Sequence, residues 1–342
     1  MKIFITGGAG FIGFHLADFY LKQNHKVIIF DNFLRKGTKE NVALLKARYD
    51  KNLNIIKGDI RNFFKLKKEI GGSDVIFHLA AQVAVTTSIT NPREDFEINA
   101  QGSFNVLEAS RKKAPKAILI YSSTNKVYGG MEDIKIRKLK NRYQYVELRN
   151  GIPEERYLDF HSPYGCSKGA ADQYFRDYFR IYKLKTVIFR QSCIYGTHQF
   201  GIEDQGWVAW FTIAAALDKK ITIYGDGKQV RDVLFVDDLV RAFDQAIKNI
   251  KNVQGQIYNI GGGPQHTLSL LELIDFLEKK LKRKIKYRFE DWRPGDQPVY
   301  ISNIAKAKRD LKWQPKTNYK NGVTKLFKWV LANKNIINQV LG

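Results

Sequence analysis

Cysteine is scarce in this chain: Cys166 and Cys193 are the only two, and neither stands in a CxxC pair or at zinc-ligand spacing. That scarcity excludes a disulfide framework and fits a reducing cytoplasm, with no metal site expected. Long apolar runs are missing as well. No stretch reaches the roughly 18 consecutive apolar residues of a membrane span. The apolar opening Ile3 to Leu16 is broken by four glycines and His15, unlike a targeting signal. Internal repeats and low-complexity tracts are absent. Acidic residues are outnumbered, 34 against 57 Lys and Arg, for a formal charge of +23. Such charge can bind nucleic acid by releasing counterions. Here the basic residues are scattered, as in Arg111-Lys112-Lys113, Lys135 to Lys140 and Lys279 to Lys284, without interleaved aromatics for base stacking. The expectation is a solvated lysine-rich surface, with neither nucleic acid nor membrane as partner.

What is present suits a large core. The 342 residues are 44% hydrophobic and 13% aromatic, enough for one large domain or two packed closely. Short β-branched or aromatic runs recur between helical segments: Lys2 to Thr6, Lys26 to Asp31, Leu53 to Lys57, Val75 to Leu79, Ala117 to Ser122, Thr186 to Arg190 and Gln256 to Ile260. Alternation of this kind predicts an α/β fold, a Rossmann-type doubly wound parallel sheet. After about Ile194 the texture becomes rich in glycine, charge and aromatics around a helical stretch from Val208 to Leu217. Residues 1–192 and 231–262 are therefore expected to form the larger unit, and 193–230 and 263–342 a smaller, discontinuous C-terminal region.

Gly7, Gly10 and Gly13 stand at GxxGxxG spacing directly after the first expected strand and at the start of an amphipathic helix. Glycine suits this turn because the backbone must bend sharply and let a pyrophosphate approach the helix N-terminus. Asp31 ends the second expected strand, where a carboxylate can bond a ribose 2′-hydroxyl. The expected cofactor is NAD, since a carboxylate repels the 2′-phosphate of NADP, although Arg35 and Lys36 lie close by. Gly7, Gly10, Phe11, Ile12, Asp31 and Asn32 make the expected pyrophosphate and ribose side. Asp59 and Ile60 are expected beside the adenine, and Leu79, Ala80, Ala81 and Gln82 beside the nicotinamide.

Tyr164 and Lys168 sit four apart, on one face of a helix that is expected to continue to Tyr182. A phenol titrates near pH 10, and a neighbouring ammonium favours the phenolate, which brings it toward use as a base at neutral pH. Lys168 could also hold the nicotinamide ribose. The segment Ser122 to Gly129 starts at the end of the fifth expected strand, on the edge where open α/β sheets bind ligands. Thr124 there could hydrogen-bond the reacting hydroxyl. His78, His161 and His198 read as packing or surface histidines.

These pieces together resemble the extended short-chain dehydrogenase/reductase family, that is, its NAD-dependent epimerases and dehydratases, over essentially the whole chain. The stretches Ser162 to Tyr174 and Gln199 to Trp207 resemble its subfamily of 2-epimerases acting on CDP-paratose and CDP-tyvelose. The 4,6-dehydratases of the family place an acidic residue where Asn125 stands, and those acting on dTDP-sugars also have Glu in place of Lys126; this chain lacks that acid pair. The resemblance implies epimerisation of a nucleotide sugar through transient oxidation to a keto-sugar. Thr124, Tyr164 and Lys168 would be catalytic, and Asn99 would lie beside the cofactor, as would Arg190 and the stretch Ser192 to Gly196. Asn125, Lys126, Gln205, Arg231 and Arg293 would meet the substrate, the arginines by forked hydrogen bonds to its diphosphate. The smaller region would bind the nucleotide sugar, with a CDP-hexose favoured. A homodimer or homotetramer is implied. A 2-epimerase of CDP-glucose, a 4-epimerase of a UDP-hexose and a non-catalytic NAD-binding regulatory protein remain open at this point.

Overall fold

The computed structural model describes all 342 residues. Five parallel strands, β1 (Lys2–Thr6), β2 (Lys26–Asp31), β3 (Leu53–Lys57), β4 (Val75–His78) and β5 (Ile118–Thr124), join strands Lys185–Gln191 and Gln256–Ile260 in one seven-stranded sheet. All seven lie where the alternation of apolar runs places them. The order runs β3-β2-β1-β4-β5, then Lys185–Gln191, then Gln256–Ile260. The chain reverses its direction of growth between β1 and β4, the switch point at which such sheets hold ligands.

Side-chain alternation explains why the strands read as almost continuous apolar runs. Ile3, Ile5, Val27, Ile29, Val75 and Phe77 enter one core, with helix α1 (Phe11–Leu21) and helix Val236–Lys248 packed on that face. Phe4, Ile28, Phe30, Ile76, Leu119 and Tyr121 enter a second core on the opposite face, under helices Gly102–Lys113 and Ser162–Tyr182. Both faces are covered, so neither needs polar residues.

A third core belongs to the C-terminal region, built on helices Trp207–Ala216, Leu270–Leu281 and Tyr319–Ala332. The strand Val230–Phe235 pairs there with Cys193–Tyr195, Thr267–Ser269 and Val299–Tyr300 in a small mixed sheet. This strand serves both regions: Leu234 enters the core of the large sheet, and Val233 and Phe235 enter the third. The larger unit also takes back Ala307, Leu311 and Trp313 from the far end of the chain. No helix is long and apolar enough to cross a membrane.

Candidate functional site

A cleft of about 830 Å³ opens along the carboxyl ends of β1, β2, β4 and β5. The turn after β1 forms one end. Gly7 has φ +69, and a Cβ there would stand 2.7 Å from the backbone nitrogen of Ala80; a Cβ on Gly13 would lie 2.5 Å from Gly7 O and Gly8 Cα. Side chains at either position would push α1 off β1 and the β4 loop, so the cradle closes only with glycine. Gly10 faces the cleft, with Gly7 O at 3.2 Å as the sole near neighbour of such a Cβ.

Asp31 is buried, and its carboxylate accepts from the backbone N–H groups of Ala9 (3.0 Å) and Phe33 (2.8 Å). These bonds fix it at the cleft wall, while burial raises its pKa. Asn32 donates to Asp59 at 3.2 Å, and Asp59 pairs with Arg61 at 2.8 Å. Phe11, Ile12, Asn32, Asp59, Ile60, Leu79, Ala80, Ala81 and Gln82 line the same cleft. A glycine cradle at a helix N-terminus, a fixed carboxylate at the end of β2 and a small-residue wall after β4 fit a dinucleotide. Arg35 and Lys36 line the cleft too.

Asn99 stands one layer back from the cleft. It is buried behind the wall rather than on the cleft, and its amide clamps the backbone of Gln82, accepting from N at 2.9 Å and donating to O at 3.0 Å. It also donates to Asp95 at 3.0 Å, and Ser167 donates to the other oxygen of Asp95 at 2.5 Å. Asn99 lies in a π-helical turn, Glu97–Gln101, a widening often found next to functional sites. It shapes the wall and does not touch the cleft. Arg190 is likewise internal: it forms a two-pronged pair with Asp172 (2.9 and 3.0 Å), and Ser123 donates to that carboxylate at 2.7 Å.

Helix Ser162–Tyr182 begins with Ser162 at φ +81, a left-handed residue that turns the chain just before Tyr164. Tyr164, Lys168, Ser122, Ser123 and Thr124 all line the cleft. The ammonium of Lys168 donates to Ser122 O at 2.6 Å and lies 4.3 Å from the centre of the Tyr121 ring. Burial pulls Lys168 down to about 7, against the opposing charges of Asp95 and Asp172. Burial pushes Tyr164 up to about 12, and Thr124 and Arg35 exert the opposing pull. In the free protein burial thus drives both groups toward their neutral forms, and at Tyr164 the Thr124 hydrogen bond and the Arg35 charge oppose it.

Of the expected substrate residues, Gln205 lines the cleft, as do Gln199, Phe200 and Trp207. The other four do not line it; three of them are held by the later segment 293–297, to which the fourth, Arg293, belongs. Asn125 donates to the Gln297 side chain at 3.3 Å, Lys126 to Gly295 O at 2.9 Å, and Arg231 to Gln297 O at 2.7 Å. Arg293 pairs with Asp204 at 2.9 Å and stacks 3.7 Å from the centre of the Tyr224 ring. The two arginines thus already have partners. Burial lowers Lys126 to about 8. His78 is a packing residue, held between the hydroxyls of Thr6 (2.7 Å) and Ser103 (2.8 Å). Sequence reasoning gave no role to Gln297, which the tertiary fold buries between Asn125 and Gly129 O. It also missed Gln191, at the end of a correctly expected strand.

A family profile described as GDP-mannose 4,6 dehydratase matches residues 4–326. A CDP-paratose 2-epimerase of Salmonella typhi is 46% identical over 96% of this chain and 99% of its own length. Two solved structures superpose with TM-scores of 0.84. A UDP-glucuronic acid 4-epimerase from Bacillus cereus, in complex with UDP-glucuronic acid and NAD, is 28% identical and matches over 97% of this chain and 99% of its own. A dTDP-glucose 4,6-dehydratase from Streptomyces venezuelae, solved with NAD bound, is 29% identical and matches over 98% of each. The chain belongs to the family that this profile describes, the epimerases and dehydratases of nucleotide sugars within the extended short-chain dehydrogenases/reductases.

Proposed function

We propose that this protein is an NAD-dependent 2-epimerase of a CDP-hexose, interconverting CDP-paratose and CDP-tyvelose. The observation that carries the reading is the 46% identity to the CDP-paratose 2-epimerase, extending over nearly the full length of both chains. Asn125 and Lys126, without a carboxylate between them, support epimerisation over water elimination. Gly7, Gly10 and the α1 N-terminus would hold the pyrophosphate and Asp31 the adenosine ribose. When bound, NAD supplies reversible two-electron oxidation of the sugar carbinol.

The chain's own residues then manage the proton and the geometry. Tyr164 takes the hydroxyl proton of the sugar and gives it back, with Thr124 hydrogen-bonding the same oxygen. Tyr164 is protonated in the free protein, so positive charge beside it is needed for this work, and Arg35 contributes some. Lys168, anchored by Ser122 O, orients the cofactor ribose. The same reading carries a homodimer or homotetramer, and Phe104, Tyr174, Ile181 and Tyr182 on helices Gly102–Lys113 and Ser162–Tyr182 are among the exposed large apolar side chains.

The test is incubation with CDP-paratose, CDP-tyvelose, CDP-glucose and UDP-hexoses, with mass and NMR analysis of products. Inversion at C2 of the CDP-hexose is the expected result. Turnover of a UDP-hexose alone would replace the substrate assignment.

A further inference from the structure

The strand Lys185–Gln191 ends beside β5 in parallel register, with Gln191 level with Thr124. Residues level across neighbouring parallel strands share a face of the sheet at a spacing of about 4.8 Å. Gln191 and Thr124 accordingly stand together on the cleft wall. Gln191 is only 6% exposed, yet its Nε2 has no protein acceptor within hydrogen-bond reach. On its other side it is level with Ile260, which is apolar.

An enclosed amide N–H group without an acceptor costs the folded protein stability, and an apolar residue of the same size would avoid that cost. Gln199 is in the matching condition. It lines the cleft, its Oε1 has no donor, and Gly206, at φ +73, would place a Cβ 2.6 Å from its Nε2, so the amide is tightly confined. An unpaired donor and an unpaired acceptor on one cleft suit a ligand whose groups both donate and accept, as sugar hydroxyls do.

We propose that Gln191 is a substrate-specificity residue, its Nε2 donating a hydrogen bond to a hydroxyl of the hexose near the carbon served by Thr124 and Tyr164. This rests on the nucleotide-sugar reading above and adds to it the residue that recognises the hexose rather than the nucleotide.

The experiment compares wild type with Gln191→Met, which keeps the volume and removes the donor. The NAD-loaded proteins are titrated calorimetrically with CDP-paratose and with CDP, kcat/KM is measured, and thermal midpoints are recorded. The expected result is a loss of about tenfold to a hundredfold in CDP-paratose affinity and kcat/KM. CDP affinity and NAD content stay unchanged, and the midpoint is unchanged or higher because an unpaired buried group has been removed. Unaltered kcat/KM and affinity would overturn the proposal. So would an equal loss for CDP, which marks general damage, or loss of NAD, which places the amide against the cofactor. If wild type binds no CDP-hexose, the functional reading fails, and the same comparison on whichever nucleotide hexose it converts decides the role of Gln191.

Discussion

Tyr164 and Lys168 are both buried in the cleft wall, and desolvation drives each toward its neutral form. For Tyr164 the consequence is catalytic. Tyr164→Phe removes the phenol that exchanges the proton of the substrate hydroxyl in the proposed reaction, so turnover should fall by about 10²- to 10⁴-fold. NAD content should persist, because the glycine cradle and Asp31 are untouched. A Phe variant with wild-type turnover, or one purified without cofactor, would contradict the assignment. For Lys168 the consequence is a pH-dependent stability. An unfolded lysine titrates near pH 10.4, whereas Lys168 is held at about 7 by burial. Between those values the folded state binds fewer protons than the unfolded one, so stability rises with pH across that window. Below about pH 7 the fold must bury the charged ammonium. Lys168→Met should therefore raise the thermal midpoint relative to wild type more at pH 6 than at pH 9. An equal difference at the two pH values would show that burial does not neutralise this lysine.

Among the elements, the β1–α1 turn separates fold from function at neighbouring glycines. A Cβ on Gly13 meets backbone atoms at 2.5 Å, and backbone cannot swing aside as a side chain can. Gly13→Ala should cost about 1–3 kcal/mol of stability from overpacking, read by urea denaturation, and lose NAD with it. A Cβ on Gly10 meets only Gly7 O at 3.2 Å but projects toward the cleft. Gly10→Ala should keep a near-wild-type denaturation midpoint and still lose NAD; a cofactor-replete Gly10→Ala protein would remove the pyrophosphate from this turn. The turn, the seven strands and the cleft residues from Gly7 to Gln82 were legible because each signal is local: a glycine spacing, or a buried run between helices. The small sheet was not. Its strands are short, and Cys193–Tyr195 finds its partner in Val230–Phe235, far along the chain, so no periodicity announces the pairing. The same holds for the bonds of Asn99, whose place behind Gln82 depends on where helix Pro92–Phe96 docks Asp95. Asn125, Lys126 and Arg231 were named only through the family resemblance, and their common partner, the segment 293–297, is brought to them by the tertiary fold.

At the scale of the whole molecule, the two units are interlocked. After building much of the C-terminal core, the chain returns Leu311 and Trp313 to the core of the large sheet, where the Trp313 Nε1–H donates to Asp238 O at 2.8 Å. The carboxylate of Asp238 also accepts from the backbone N–H groups of Lys316 and Thr317 at 3.0 and 2.8 Å, which fastens this passage to helix Val236–Lys248. That helix in turn packs against α1, whose N-terminus forms the glycine cradle. Trp313 itself lies outside the cleft lining, so a local account of the site gives it no part in cofactor retention. The interlocked fold does. Trp313→Ala should cost about 3–5 kcal/mol through lost burial and the cavity left behind. The loss should appear as one cooperative urea transition, monitored by circular dichroism, with NAD released at the same lowered midpoint. Added NAD at about 100 times its dissociation constant should restore about 2.7 kcal/mol in variant and wild type alike, since the binding residues are intact. Two separate transitions in the variant, with NAD released only in the second, would show that the C-terminal unit unfolds independently and that this return passage does not join the two.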